Sequence, residues 1–545
     1  MNIKRCMGLM LVTLAFTIGF GIKDGNARKS YDKNKTPAPN FITLVIDDMG
    51  FSDLGVFGSE IPTPNIDQLS NDGVMLTNFY AAPTSTPSRG MLFTGKDHHS
   101  AGVGTMGSMM VDEQRGQPGY ETRLSLDALP FPELLQKNGY HTMMTGKWDL
   151  GETPEHSPIK RGFSVTRAAL LPGGSPHYSF PDGVPRRGPY NDNGKKIEKF
   201  PKMFYSTEYY TDMGIEMMKN RPQDRPFYLC VTYTAPHNPL HAPADVTAKY
   251  INVYAKGWDI IRKERFERQK RLGLWPETAK LPPRISGVAP WSAMTEKFQM
   301  LSAKKMAVYA AMVDVLDKNV GRLISHLKEA GEYENTVIFL YSDNGGGYET
   351  FYKPPEVIDN SYENIGNWNS NVGVDRGWAM VKNTPLNNLK NDSYEGGWHT
   401  AGMLHYPKSK VSGVRSSRIS SIMDIAPTIL EMAKIKYPDT YKGKPNTPMS
   451  GISMTDIFQG RLEYNPEREL ALELGGMIGV RKGDWKISQT LCNDGQPHLY
   501  NLKTDPFELR DLAKQNPGKL RELMNIYNKY AKDNGVLKIK ACSPE

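Results

Sequence analysis

Ser85, Pro87 and Arg89 stand two and four residues apart in Ser85-Thr86-Pro87-Ser88-Arg89-Gly90, and Met91-Leu92-Phe93-Thr94-Gly95-Lys96 follows. The stretch reads as the start of a helix, where free backbone N–H groups stabilise anions. A side-chain oxygen beside a fixed positive charge is a candidate nucleophile. The plain alternative is an N-cap serine. A second cluster, Asp47-Asp48, ends the apolar run Phe41-Ile42-Thr43-Leu44-Val45-Ile46, and a third, Ser342-Asp343-Asn344-Gly345, ends Thr336-Val337-Ile338-Phe339-Leu340-Tyr341. Adjacent carboxylates repel unless a cation binds them. Three carboxylates and an amide suit Ca²⁺ first, with Mg²⁺ as the other hard ion, ahead of any transition metal. Each cluster alone could be an Asp turn capping a strand. Two clusters with the same grammar, far apart in the chain, favour a metal.

Three further residues could meet an anion. His237 sits between prolines in Ala235-Pro236-His237-Asn238-Pro239 and is held rigidly there; an exposed loop histidine is the alternative. Lys147 lies in Gly146-Lys147-Trp148-Asp149-Leu150-Gly151, and Lys390 lies five residues before Glu395-Gly396-Gly397. Taken alone, a lysine in a polar loop reads as surface.

Elements that position these residues follow from the pattern. Phe41–Ile46, Val74–Tyr80, the segment from His141, Arg225–Thr234 and Thr336–Tyr341 read as strands, the most apolar as buried parallel ones. Pro64–Leu69 opens a helix that Gly73 stops, Phe131–Asn138 is another, and Tyr205–Asn220 a third. Glu296–Ala330 has Met306, Tyr309, Met312, Val313, Leu316, Val320, Leu323, Ile324 and Leu327 at three-and-four spacing, which predicts one long core helix. Residues 152–200 read as loops. Lys256–Lys280 reads as a solvated basic helix, with an anionic-polymer patch as the sharper alternative. Alternating strands and helices with polar strand ends predict an α/β fold: a large, mostly parallel central sheet flanked by helices. Ala471–Leu474, Met477–Arg481, Trp485–Ser488 and His498–Leu502 predict a smaller C-terminal antiparallel sheet, closed by a helix at Leu520, Leu523, Met524 and Tyr527. The expected division is a leader over 1–27, a catalytic domain over 28–455 and a C-terminal α+β subdomain over 456–545.

The chain has 545 residues, a formal charge of +8, 39% apolar residues and four cysteines. That composition supports a large core and excludes a disordered chain. No nucleic-acid motif accompanies the basic excess. Lys4-Arg5, an apolar run from Cys6 to Ile22 and Gly25-Asn26-Ala27 read as a secretory leader, against a retained anchor. The mature protein is then exported, to a bacterial periplasm or outside the cell, without stable membrane insertion. Cys230 reads as a buried thiol, and Cys492 and Cys542 could pair in an oxidising compartment.

The stretch Ser85–Gly95 resembles the type I sulfatase signature, Cys/Ser-x-Pro-x-Arg followed by x-x-Leu-x-Thr-Gly. The resemblance continues in order through the double-Asp strand, Pro64-Asn65-Ile66-Asp67, Gly146-Lys147-Trp148, Pro236-His237-Asn238-Pro239, Asp343-Asn344-Gly345 and the lysine before Glu395-Gly396-Gly397. It implies the alkaline-phosphatase-like fold and hydrolysis of sulfate esters of the arylsulfatase kind. It implies that Ser85 is converted to formylglycine by a radical-type maturing enzyme before export. It implies one divalent cation on Asp47, Asp48, Asp343, Asn344 and position 85. By the same resemblance Lys147, Lys390 and His237 hold the sulfate, a small sulfated molecule or glycan supplies it, and Arg89 orients the nucleophile. One position departs: the family has histidine where this chain has Asp149. Asp149 could act as a base in its place, or His98, His99 or His399 could have moved in. Two other readings are a phosphoester or phosphonate hydrolase of the same superfamily and an impaired binder of sulfated ligands.

Overall fold

The computed structural model describes residues 38–539 apart from 175, 349–357 and 491–494. The leader, Cys6 and the Cys492–Cys542 pairing lie outside the described residues. Among the described residues no helix is long and apolar enough to cross a membrane.

Seven strands carry the large sheet: β1 (Asn40–Ile46), β2 (Val74–Tyr80), β3 (His141–Lys147), β4 (Val165–Leu170), β5 (Phe227–Thr232), β6 (Thr336–Ser342) and β7 (His399–His405). Their spatial order is β2-β7-β6-β1-β5-β3-β4, with short strands continuing beyond both ends. β1 lies at the centre, parallel to β5 on one side and β6 on the other. β7 runs antiparallel to both its neighbours, β2 and β6. Every residue of β1 is buried because both faces of the sheet are covered. Phe41 and Val45 pack with Leu92, Phe93 and Trp148 on one face, whereas Ile42, Leu44 and Ile46 pack with Leu316, Val320 and Leu323 on the other. That alternation is the period-two rule of a strand.

Helix α1 (Ser85–Thr94) follows β2, and every one of its residues is buried. Helix α2 (Trp258–Arg271) is the basic segment, and α3 (Glu296–Glu329) is the long core helix, capped by Thr295 Oγ1, which accepts from Phe298 N. A four-stranded antiparallel sheet follows: β8 (Glu469–Leu474), β9 (Met477–Lys482), β10 (Trp485–Gln489) and β11 (His498–Asn501). Helix α4 (Pro517–Asn534) packs on it through Leu523.

Two expectations are corrected. The segment 152–200 contains β4, which pairs in parallel with β3; its Val165-Thr166-Arg167-Ala168-Ala169-Leu170 run is short and interrupted by arginine, so it carries little strand signal. Helix α2 is not a solvated helix. Trp258, Ile261, Arg262, Arg265, Phe266 and Gln269 are buried. Arg265 is fully enclosed, with Nη1 2.6 Å from Asp53 Oδ1 and Nε 2.8 Å from Glu60 Oε2. A charge run cannot reveal that distant carboxylates will come to meet it. Cys230, in contrast, is buried as expected, and burial pushes its thiol up to about 12.

Candidate active site

The three central strands β1, β5 and β6 are parallel, so their C-terminal ends share one edge, where the connecting loops diverge. β1 delivers Asp47 and Asp48 there, β6 delivers Asp343 and Asn344, and β5 leads to His237. Asp343 N donates to Ile46 O at 3.0 Å, which locks the two acidic strand ends together. Gly345 is required at this join, since a Cβ there would meet Gly396 O at 1.9 Å. Asp48 has φ +63°, a left-handed conformation that Asp tolerates better than most residues.

Ser85, at the start of α1, points into this edge. Its Oγ lies 3.0 Å from Asp47 Oδ1 and 3.2 Å from Asn344 Oδ1. A hydroxyl has one proton, so one of these oxygen–oxygen approaches has no hydrogen between the atoms. Asn344 Nδ2 donates to Asp48 Oδ1 at 2.7 Å. Arg89 is wholly buried one turn along α1: Nη2 lies 3.0 Å from Asp343 Oδ2 and 3.9 Å from Asp47 Oδ2, while Nη1 donates to Lys147 O at 2.7 Å. Lys147, at the end of β3, places Nζ 2.8 Å from Asp47 Oδ2. Lys390 Nζ lies 2.5 Å from Asp48 Oδ1, and His237 Nε2 lies 3.5 Å from Asp48 Oδ2. The unaided surface reading of Lys390 therefore fails. Asp149 has φ +58° and accepts from Thr86 Oγ1 at 2.9 Å; its Oδ2 is 3.7 Å from Lys147 Nζ. The structure thus brings together every residue that the motifs nominate.

The electrostatics follow from this crowding. Burial opposes ionisation of Asp47, but Lys147, His237, Arg89 and Lys390 hold its carboxyl far below the usual range. Asp48 is lowered against the same burial by Lys390 and His237. Asp343 moves the other way, up to about 6, through burial and then the charge of Asp47. Burial lowers the His237 imidazole. His237 Nδ1 faces Asn238 O at 2.5 Å, and a carbonyl only accepts, so Nδ1 carries a proton and Nε2 is turned to the site. Ser85 itself is only 2% exposed, but the side chains of Asp149 and Lys390 are 13% and 12% exposed. These two keep the edge open to solvent.

The donor set fits a hard divalent cation. Oxygen atoms of Asp47, Asp48, Asp343, Asn344 and Ser85 converge, two of them without a proton between, and burial together with the charge of Asp47 pushes the Asp343 carboxyl up. Asp47, Asp48 and His237 also place ligand atoms within 4.8 Å of one another. Asp97, His98 and His99 form another such group. There His99 already spends Nδ1 on Asp97 and Nε2 on Glu473, at 3.0 and 2.9 Å, which ties α1's C-terminal loop to β8.

Among the described residues, none of the three candidate histidines pairs with Ser85 or Asp149. His98 Nδ1 faces Val103 O, His99 is committed as above, and His399 Nδ1 pairs with Glu395 Oε2. Sequence reasoning missed Lys382 and Asn383. Lys382 is buried, donates to Gly347 O at 3.1 Å and lies 4.3 Å from the Tyr309 ring; burial lowers it to about 8. Asn383 clamps Gly346 with two hydrogen bonds of 2.8 Å. Their only sequence signal is the polar Asn383-Thr384-Pro385 after an apolar run. His177 was missed too: its Nε2 meets His237 O at 2.8 Å and sets the backbone of that loop.

The chain is similar to known proteins. The chain is 38% identical over 525 residues to an uncharacterized sulfatase of Schizosaccharomyces pombe, covering 92% of this chain and 94% of that one. It is 34% identical over 432 residues to the arylsulfatase of Klebsiella aerogenes, covering 77% and 92%. Among solved structures, that of Ps i-CgsB in complex with k-i-k-neocarrahexaose superposes with a TM-score of 0.65 at 25% identity, covering 91% of this chain and 93% of that one. The profile of the N-sulphoglucosamine sulphohydrolase C-terminal region matches residues 390–531. The sulfatase profile matches residues 39–435, the span that carries the strand ends around Ser85, and the chain belongs to the sulfatase family, hydrolysing sulfuric esters.

Proposed function

We propose that this sulfatase breaks its sulfate ester at position 85, with Ser85 converted to formylglycine and a divalent cation, Ca²⁺ before Mg²⁺, on Asp47, Asp48, Asp343 and Asn344. The observation that carries this is the approach of Ser85 Oγ to Asp47 and Asn344, with two lysines and a histidine around the same carboxylates. When present, the formylglycine hydrate and the cation supply the nucleophilic oxygen and its activation.

The chain's own residues do the rest. Lys147 and Lys390 each have three N–H donors, so each has donors left for sulfuryl oxygens after pairing with Asp47 or Asp48. Fixed charge placed where charge accumulates lowers the barrier. Arg89 holds Asp343 and the end of β3 together, so the ligand cluster needs no rearrangement. A protonated His237 or Lys390 is the candidate acid that gives its proton to the departing alcohol. Asp149, beside Thr86, accepts a proton from the position-85 oxygen when the site resets.

The substrate class is a sulfated glycan or small sulfate ester. Export after maturation, through the leader at 1–27, and the domain division at 455/456 remain part of this reading. The test is the mass of the peptide spanning 82–96 from protein made in a host with the maturing enzyme. Loss of two hydrogens at Ser85 is expected, and an unmodified serine in fully active protein overturns the reading. Chelation is expected to abolish turnover of nitrophenyl sulfate and added Ca²⁺ to restore it; full activity in the chelator refutes the metal assignment.

A further inference from the structure

A cavity of about 360 Å³ lies at the seam between the large sheet and the C-terminal sheet, and the residues lining it are not those around Ser85. Its wall includes Arg481 from β9, His399 from the start of β7, Trp275, Phe51, Asp484 and Lys503. Arg481 is 4% exposed. Its guanidinium donates to Gly483 O, Asn78 Oδ1 and the Tyr80 hydroxyl, and it lies over the Tyr80 ring. No carboxylate among the described residues comes within ion-pair distance of it, in contrast to Arg89 and Arg265. Burial lowers its pKa to about 9, with Asp484 and Glu508 acting only from a distance. A buried cation without a counter-ion is costly.

Two more polar atoms on the same wall lack partners. His399 Nδ1 is held by Glu395, but its buried Nε2 makes no hydrogen bond, and neither does Trp275 Nε1. The Phe51 ring packs 4.9 Å from His399 and 6.5 Å from Trp275, so an apolar floor adjoins these groups. Lys503 is exposed and adds positive charge at the rim. Two acids also line the cavity: Glu395, already paired with Lys486 and His399, and Asp484, whose charge adds to burial in raising the Tyr464 hydroxyl. A cavity of this volume is at the small end of ligand sites: larger than an inorganic anion needs and suited to one ring.

We propose that this cavity is a second ligand site, which binds the oxyanion of a ring-bearing ligand on Arg481, with the ring against Phe51 and Trp275. A sulfated sugar unit and free sulfate share this chemistry, and the two are separated by their arms of the test. The experiment is calorimetric titration of the Ser85→Ala full chain with glucose 6-sulfate in one arm and inorganic sulfate in the other. Glucose 6-sulfate is expected to fill a site that survives Lys390→Ala, and Arg481→Gln is expected to weaken that site at least tenfold. Trp275→Phe, which keeps the ring and removes the N–H, is expected to weaken it several-fold. Inorganic sulfate is expected to bind there more weakly than the sugar; equal affinity overturns the ring contact. If Arg481→Gln does not fold, the half-buried Trp275→Ala and the rim Lys503→Ala decide. Binding unchanged in that pair, or one site only that Lys390→Ala removes, overturns the proposal.

Discussion

Replacing Asp149 with Asn tests the position where this chain departs from the family pattern. Asn tolerates the left-handed φ of +58°, and its amide oxygen can still accept from Thr86 Oγ1. The change therefore removes a charge and little else. That charge lies 3.7 Å from Lys147 Nζ. At this separation a unit pair is worth about 1 kcal/mol at the dielectric of water and about 4.5 kcal/mol at an effective value near 20. Asp149 is partly open to solvent, so the lower half of that range applies. A release of about 1.4 kcal/mol of competition for Lys147 corresponds to about tenfold tighter binding of an anionic substrate. Loss of a general base costs on the order of 10²-fold or more in rate. Asp149→Asn is therefore expected to lower KM for nitrophenyl sulfate about tenfold and kcat about a hundredfold, with a stoichiometric burst of phenol in stopped flow. A lower KM with unchanged kcat refutes the base assignment. Unchanged KM refutes the electrostatic argument.

Lys390→Ala leaves Asp48 without its nearest cation and removes a donor from the site, so kcat/KM is expected to fall about 10²–10³-fold; a loss under threefold would show that Lys390 only stabilises Asp48. Arg265→Met strands Asp53 and Glu60 in the interior, a change expected to cost about 3–5 kcal/mol in denaturant unfolding, and a cost below 1 kcal/mol would mean that these acids find other partners. His99 gives the pH prediction. Burial opposes its charge, but the hydrogen bonds that its ring N–H groups donate to Asp97 and Glu473 raise its pKa from 6.5 to about 9. Its contribution, on the order of 3 kcal/mol, is fully present below pH 6.5 and is lost as pH rises to about 9; Glu473→Gln should flatten that part of the stability profile, and an unchanged slope counts against it.

Much of the catalytic edge was legible because its residues are tied to short local patterns. Asp47-Asp48 and Asp343-Asn344 each follow an apolar, β-branched run, and a parallel strand ends at the same edge of the sheet as its neighbours. His237 between prolines and Ser85 before a helical run are also local facts. The resemblance then supplied what spacing leaves open, above all Lys390, which looks like any surface lysine until Asp48 meets it. The buried central strand and the long core helix likewise followed from the apolar run of β1 and the three-and-four spacing of α3, whereas the register of the sheet did not.

What the tertiary structure alone decided are the pairings between residues hundreds of positions apart. Arg265 became an interior counter-ion because Asp53 and Glu60 fold against α2, and no charge count over Lys256–Lys280 contains that partner. His99 was released from any catalytic part because Glu473 of β8 claims its second nitrogen. Arg481 was left without a carboxylate for the same reason in reverse. A sequence fixes which groups a chain owns and which way each strand presents them. Whether a buried charge meets its opposite depends on the packing of distant elements, and Coulomb energy in a low-dielectric interior turns that proximity into function or stability.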